Sequence, residues 1–269
     1  MNILFIGGGN MAAALIGGLL KKNFSAAQIS VVEINADNRQ RLQRDFDVQT
    51  FPEMTPAVAD STVIVLAVKP QQLHEVALQL APLLGAQLVI TIAAGIRASD
   101  LARWLSCKNI VRAMPNTPAL IGSGMAGLYA LPAVDKTQRD TAQTILAAVG
   151  NTLWLEDEAM MDAVTAVSGS GPAYVFYFIE ALQQAARELG LDTAAARRLA
   201  LDTFLGAAKL ADASEEDASV LRARVTSKNG TTERALLSME QNAVKQHIIR
   251  AVHLAAKRSI EMGDEMGKT

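Results

Sequence analysis

Residues 1–158 read as a doubly wound α/β domain on a parallel sheet, and residues 159–269 as an all-helical second domain. Three features carry this reading. Short, almost wholly apolar runs such as 2-NILFI-6 and 63-VIVLAV-68 alternate with helical patterns, as strands covered on both faces do. A glycine-rich turn joins the first run to the first helix. Beyond 156-EDE-158 no strand pattern recurs, only long stretches with broad apolar helical faces.

The strands are expected at 2–6, 29–33, 63–68, 88–93, 110–114, 125–130 and 151–156. The helices between them are expected at 10–22, 37–46, 71–84, 99–105 and 135–149. The second domain reads as helices 159–169, 172–190, 193–213 and 241–263. In 168-SGSGP-172 a helix-entry turn is expected, with Ser170 or Gly171 near the cap and Pro172 at the first helical position. A domain of this length has little volume in which to hide the apolar faces of 173–182 and 199–210. A homodimer or higher homo-oligomer built on these helices is therefore expected.

Composition excludes several classes. Lys plus Arg total 25 and Asp plus Glu 27, so no basic excess points to nucleic acid. The single cysteine, Cys107, makes no disulfide within the chain, and three histidines are too few for a Cys/His zinc site. The N-terminal MNILFIGGG is already a strand rather than a signal peptide. No apolar run approaches the roughly 20 residues that span a bilayer. A cytoplasmic protein with no metal and no membrane partner is expected.

The turn 6-IGGGNMAAAL-15 fits G-x-G-x-x-G/A through Gly7, Gly9 and Ala12. Gly7 makes the tight turn, Gly9 lets the backbone approach a pyrophosphate, and Ala12 allows close helix–strand packing. A strand precedes the motif, a helix follows it, and a second strand comes next, which is the context a Rossmann-type dinucleotide site requires. Glu33 ends that second strand, where an acid holds the ribose hydroxyls of NAD. The next loop carries Asn35, Asn38, Arg39 and Arg41, groups suited to a 2′-phosphate or to a solvated helix face. The choice of dinucleotide stays open on these residues.

Ligands of open α/β sheets bind beyond the carboxyl ends of the strands. There lie 67-AVKP-70, the small residues 93-AAG-95, and 114-MPNTPAL-120, whose Pro115 and Pro118 stiffen the loop presenting Asn116 and Thr117. Small residues at 93–95 leave room for a flat nicotinamide ring. Near the C-terminus, 225-VTSKNGTTERAL-236 packs Thr226, Ser227, Thr231 and Thr232 around a Lys-Asn-Gly turn at a helix start. Such residues cap helices, and such helix starts also bind anions.

The motifs IGGGNM, AVKP, IAAG, RAMPNTP, VSGSGPAYVF and TSKNGTTERAL, in this order, closely resemble those of pyrroline-5-carboxylate reductases over residues 1 to about 260. The resemblance implies reduction of 1-pyrroline-5-carboxylate to L-proline by NADPH, with NADH possible, and an interlocked helical dimer. It implies cofactor contacts at Ile6, Gly7, Gly8, Gly9, Asn10, Met11, Asn35, Ala67, Val68, Lys69, Pro70, Ala93 and Ala94, to which the position of the 114–118 loop adds Asn116. It implies a substrate carboxylate site at Ser227, Asn229, Gly230, Thr231 and Thr232, with Thr232 also steadying the ring nitrogen. Two positions depart from the family pattern. Asn229 stands where glycine is usual, and Glu33 where a small or neutral residue is common, which shifts preference towards NADH.

Two other readings share parts of this pattern. A related 3-hydroxyacid dehydrogenase needs a lysine base on the first long helix after the linker, and 173-AYVFYFIEALQQAA-186 has none. A dinucleotide-sensing protein without activity needs the glycine turn but no carboxylate seat.

Overall fold

The computed structural model describes residues 1–268, and among them every side chain except those of Thr55 and Pro56. The strands are β1 (Ile3–Ile6), β2 (Ile29–Val32), β3 (Gln49–Phe51), β4 (Val63–Leu66), β5 (Leu88–Thr91), β6 (Ile110–Met114), β7 (Gly124–Ala130) and β8 (Gly150–Trp154). Among the described residues they form one eight-stranded sheet in the order β3-β2-β1-β4-β5-β6-β7-β8. In the middle of the sheet β1, β4 and β5 are buried at every residue. Alternation then divides their side chains between two layers. Ile3 and Phe5 face a core with Leu15, Ile16 and Leu19 of α1 (Asn10–Lys21) and Leu42 of α2 (Ala36–Phe46). Leu4 and Ile6 face a second core. There they meet α3 (Thr55–Ala59), α4 (Pro70–Leu80) and α5 (Ala98–Leu105) through residues such as Val58, Leu73 and Leu101.

Two strands depart from the expected sheet. All neighbouring pairs are parallel except β6 and β7, which run antiparallel with Arg112 opposite Tyr129. The connection 115–123 holds only the short 3-10 turn Thr117–Ile121, too little chain for the crossover that parallel neighbours require. The edge strand β3 was not expected, since Gln49, Thr50 and Phe51 make no apolar run. After α6 (Lys136–Leu146), capped by Asp135 and Gln138, the chain returns as β8 beside β7.

The chain divides into two compact units, Met1–Ser170 with Ala255–Thr269, and Gly171–Leu254. The first continues past the linker because α7 (Met160–Val164) lies on β7. The site of a Cβ on Gly127 is 2.8 Å from Val164 Cγ1. The segment expected to break at SGSGP stays helical. Thr165–Gly169 forms a π turn that leads through Ser170 into α8 (Gly171–Glu188). The amide of Ser170 donates to the carbonyl of Thr165 at 2.8 Å.

The second unit contains α8, α9 (Thr193–Asp212), α10 (Ala218–Arg224), α11 (Thr231–Gln241) and the start of α12 (Val244–Met266). Its apolar faces are bare in the single chain. Phe176 is 65% exposed, Tyr177 71% and Leu205 55%. A groove of about 300 Å³ between α8 and α12 is lined by Tyr174, Tyr177, Phe178, Val244 and Ile248. Among the described residues no helix is long and apolar enough to cross a membrane.

Candidate active site

The strand order reverses between β2-β1 and β4-β5, so the loops after β1 and β4 diverge and open a cleft. It measures about 630 Å³. Ile6, Gly7, Gly8, Gly9, Asn35, Ala67, Val68 and Lys69 line it, eight of the residues expected to meet the cofactor. The loop geometry explains the glycines. Gly7 sits at φ +100°, and a Cβ there would lie 2.8 Å from the carbonyl oxygen of Ala67. Its amide donates to Val32 at 2.8 Å, which seats the turn on the sheet end. Gly9 precedes α1 and faces open space, and no side chain caps the helix. Such an end, with its amides unspent, suits a pyrophosphate.

The remaining expected cofactor residues sit around this cleft without lining it. Asn10 and Met11 are the first residues of α1, and Pro70 opens α4 behind Lys69. Ala93 is buried and Ala94 half-buried in the loop after β5. Asn116 is held by the protein itself. Its Nδ2 donates to the carbonyl and the hydroxyl of Ser168, each at 3.2 Å, and its Oδ1 accepts from the amide of Met125 at 2.9 Å. It ties the MPNTP loop to the start of β7 and to the π turn. Gly169 belongs to the same junction, for a Cβ there would meet Met114 Cε at 2.6 Å.

Glu33 has a role that sequence reasoning missed. Its Oε2 accepts from the amide of Gly8 at 2.9 Å and its Oε1 from the amide of Asn35 at 2.8 Å. The carboxylate therefore clasps the glycine turn to the start of α2. The candidate phosphate ligands already make bonds within the protein. Asn35 Oδ1 caps α2 through the amide of Asn38 at 2.9 Å. Arg39 Nη1 donates to the carbonyls of Glu33 at 2.7 Å and Ile34 at 2.9 Å, and Arg41 Nη2 donates to Gly8 at 3.1 Å. The only sequence signal for this was an acid at the end of β2.

Within the second unit, α11 begins at Thr231 with Gly230 as its cap residue and no side-chain cap bond. The hydroxyl of Thr226 donates to the carbonyl of Arg222 at 2.6 Å, so it closes α10 and does not cap α11. Asn229 takes φ +61°, the left-handed conformation that asparagine tolerates. Glu233, also missed, braces the turn by accepting from the amide of Asn229 at 2.6 Å. Its signal was an acid at the third helical position. Ser227 Oγ lies against Gly230, where a Cβ would be 2.5 Å away. The turn thus gathers Ser227, Asn229, Gly230, Thr231 and Thr232 around a free helix N-terminus. Thr232 is half-buried and the hydroxyls of Ser227 and Thr231 are exposed. A carboxylate is the size and charge such an end accommodates.

A glycine turn at the switch point of a doubly wound sheet, with a cleft beside it, is the arrangement of a dinucleotide-binding protein. Comparison with known proteins agrees. Residues 158–262 match a family model described as pyrroline-5-carboxylate reductase dimerisation, and residues 2–95 one described as NADP oxidoreductase, coenzyme F420-dependent. The pyrroline-5-carboxylate reductase of Pseudomonas aeruginosa is 47% identical over 268 residues, 99% of this chain and 98% of that protein. The structure of a pyrroline-5-carboxylate reductase from Coxiella burnetii is 39% identical with a TM-score of 0.92, covering 97% of this chain and 98% of that one. The pyrroline carboxylate reductase of Plasmodium falciparum, with NADP bound, is 29% identical with a TM-score of 0.88, covering 98% of each chain. The chain belongs to the pyrroline-5-carboxylate reductase family.

Proposed function

We propose that this protein reduces 1-pyrroline-5-carboxylate to L-proline with a hydride from NAD(P)H. The observation that carries the reading is the uncapped start of α11, ringed by the hydroxyls of Ser227, Thr231 and Thr232, in a chain with an intact dinucleotide cleft. A substrate carboxylate fits this helix end, and fixing it orients the ring. Bound, the dihydronicotinamide supplies the hydride that the imine carbon accepts. A protonated imine is already electrophilic, so no strong side-chain acid is needed. The hydroxyl of Thr232 is assigned to hydrogen-bond the ring nitrogen. The glycine turn and the start of α1 would hold the pyrophosphate, and the loop 93–95 would take the nicotinamide.

The clasped Glu33 favours NADH over NADPH. Its carboxylate is the charge presented at the ribose end, whereas Arg39 and Arg41 spend donors on backbone carbonyls. A 2′-phosphate beside it would meet a repulsion of ~2 kcal/mol at an intermediate dielectric. This differs from the NADPH expected from the family. The bare apolar faces of α8 and α9 and the match over 158–262 support a homodimer built on residues 159–269, with 1–158 as the dinucleotide domain. A small molecule is the substrate, and the half-buried free Cys107 accords with a reducing cytoplasm.

Nicotinamide absorbance tests the reading directly. Purified protein should oxidise NADH when 1-pyrroline-5-carboxylate is added. Thr232→Ala should raise the KM for the imine at least about ten-fold, as loss of a charge-assisted hydrogen bond does, with dinucleotide Kd unchanged. No oxidation of either dinucleotide, or equal loss of both affinities, would refute it.

A further inference from the structure

We propose that the last turns of α12 hold the nicotinamide-side loop 92–97 in its binding shape, with Asp264, Met262 and Met266 as positioning residues. The inference rests on the reading that Ala93 and Ala94 face the nicotinamide. All the residues concerned lie within the first compact unit.

Between Thr91, the end of β5, and Ala98, the start of α5, the loop sinks Ala93 and Ile96 into the second core and leaves the small stretch Ala94–Gly95 as backbone with little side chain. Small side chains suit close approach of a flat ring. The cover over Gly95 comes from the C-terminal helix. Gly95 takes φ +72°, and a Cβ there would lie 3.2 Å from both Cβ and Cε of Met262 and 3.5 Å from Sδ of Met266. The two thioether side chains close over the backbone where no side chain fits.

Polar contacts fix the same helix end. Arg97 Nη2 at the loop's far side donates to Asp264 Oδ1 at 2.5 Å. The guanidinium packs on Gly263, where a Cβ would be 3.3 Å from Nε. Hydrogen bonding to Asp264 raises the Arg97 pKa above its already high ordinary value, so the guanidinium stays charged. Arg103 Nη2 of α5 donates to the carbonyl of Gly267 at 2.7 Å. One turn before Met262, the buried Ser259 donates through Oγ to Asp162 at 2.6 Å. The start of α5 is held independently, with the amide of Ala98 donating to Glu158 at 2.6 Å. The middle of the loop and its α5 end are thus held by groups remote in sequence.

The test compares two ligands on the full-length protein. NADH reaches the loop 92–97, whereas ADP-ribose has the same pyrophosphate and adenosine but no nicotinamide. Asp264→Ala and, separately, Met262→Ala should weaken NADH at least about five-fold, the low end of measured couplings between sites. ADP-ribose affinity should be unchanged, and Asp264→Glu should restore NADH binding. A merely structural loss would weaken both ligands alike. Equal weakening of both, or no change in NADH in either variant, overturns the proposal. Ala94→Phe separates the underlying reading, since it should block NADH and spare ADP-ribose. If Ala94→Phe leaves NADH binding intact, the nicotinamide reading fails and the proposal with it. If Ala94→Phe acts while Asp264→Ala and Met262→Ala do not, only the clamp is wrong.

Discussion

Glu158→Ala removes the partner of a charge that water scarcely reaches. The Arg112 side chain is 6% exposed and that of Glu158 19%, with Nη1 and Oε1 2.8 Å apart. The same Oε1 accepts from the amide of Ala98 at 2.6 Å, so alanine would also strip the first amide of α5 of its acceptor. Deleting one member of a buried ion pair costs about 3–5 kcal/mol, because the remaining charge stays desolvated. For a chain of this size, roughly 2–4 °C of melting temperature accompanies each kcal/mol. The low end of that cost, about 3 kcal/mol, therefore gives a fall of about 6–12 °C. Thermal unfolding should be followed at one fixed protein concentration, since association contributes to the melting point. Glu158→Gln keeps an acceptor for both donors but leaves the charge uncompensated, so its loss should be smaller than that of alanine, about 2 kcal/mol. Arg112→Met with Glu158→Leu removes both charges and should recover most of the loss. A fall of less than about 2 °C in Glu158→Ala, or a double variant no better than the single, would refute the reasoning.

Two further predictions concern the positions that depart from the family pattern. Glu33→Gln keeps one carbonyl acceptor for the glycine turn and removes the charge, so kcat/KM with NADPH should rise at least about ten-fold relative to NADH, consistent with a repulsion of ~2 kcal/mol. An unchanged ratio would mean that Glu33 serves only the loop. At Asn229, held at φ +61°, Asn229→Ala should cost about 1 kcal/mol and raise the KM for the imine, while Asn229→Gly should bind it as the natural protein does. Equal KM values for the two variants would disconnect the turn's conformation from substrate binding.

What could be read in the chain followed the range of the interaction. The glycine turn was legible because Gly7, Gly9 and Ala12 act within a few residues of one another, between a strand and a helix that both announce themselves. The hydroxyl-rich start of α11 was legible for the same reason, although Thr226 could not be separated from its neighbours. It turns back to Arg222, and only the path of the backbone reveals that. Asn116 was legible as part of a loop at the right sheet edge. Its bonds to Ser168 and Met125 were not, because Ser168 is placed there by the π turn.

By itself, the sequence determined the βα alternation, the two clusters of buried side chains, the dinucleotide turn and the apolar faces left for a second copy. These follow from periodicity and local backbone requirements, which a chain carries before it folds. Tertiary structure alone decided the use of Glu33 as a clasp on Gly8, the Arg112–Glu158 pair and the seat of α12 on Gly95. Each of these joins groups far apart along the chain. No residue type forces such a meeting, which arises when the whole sheet and its covering helices have settled into one packing.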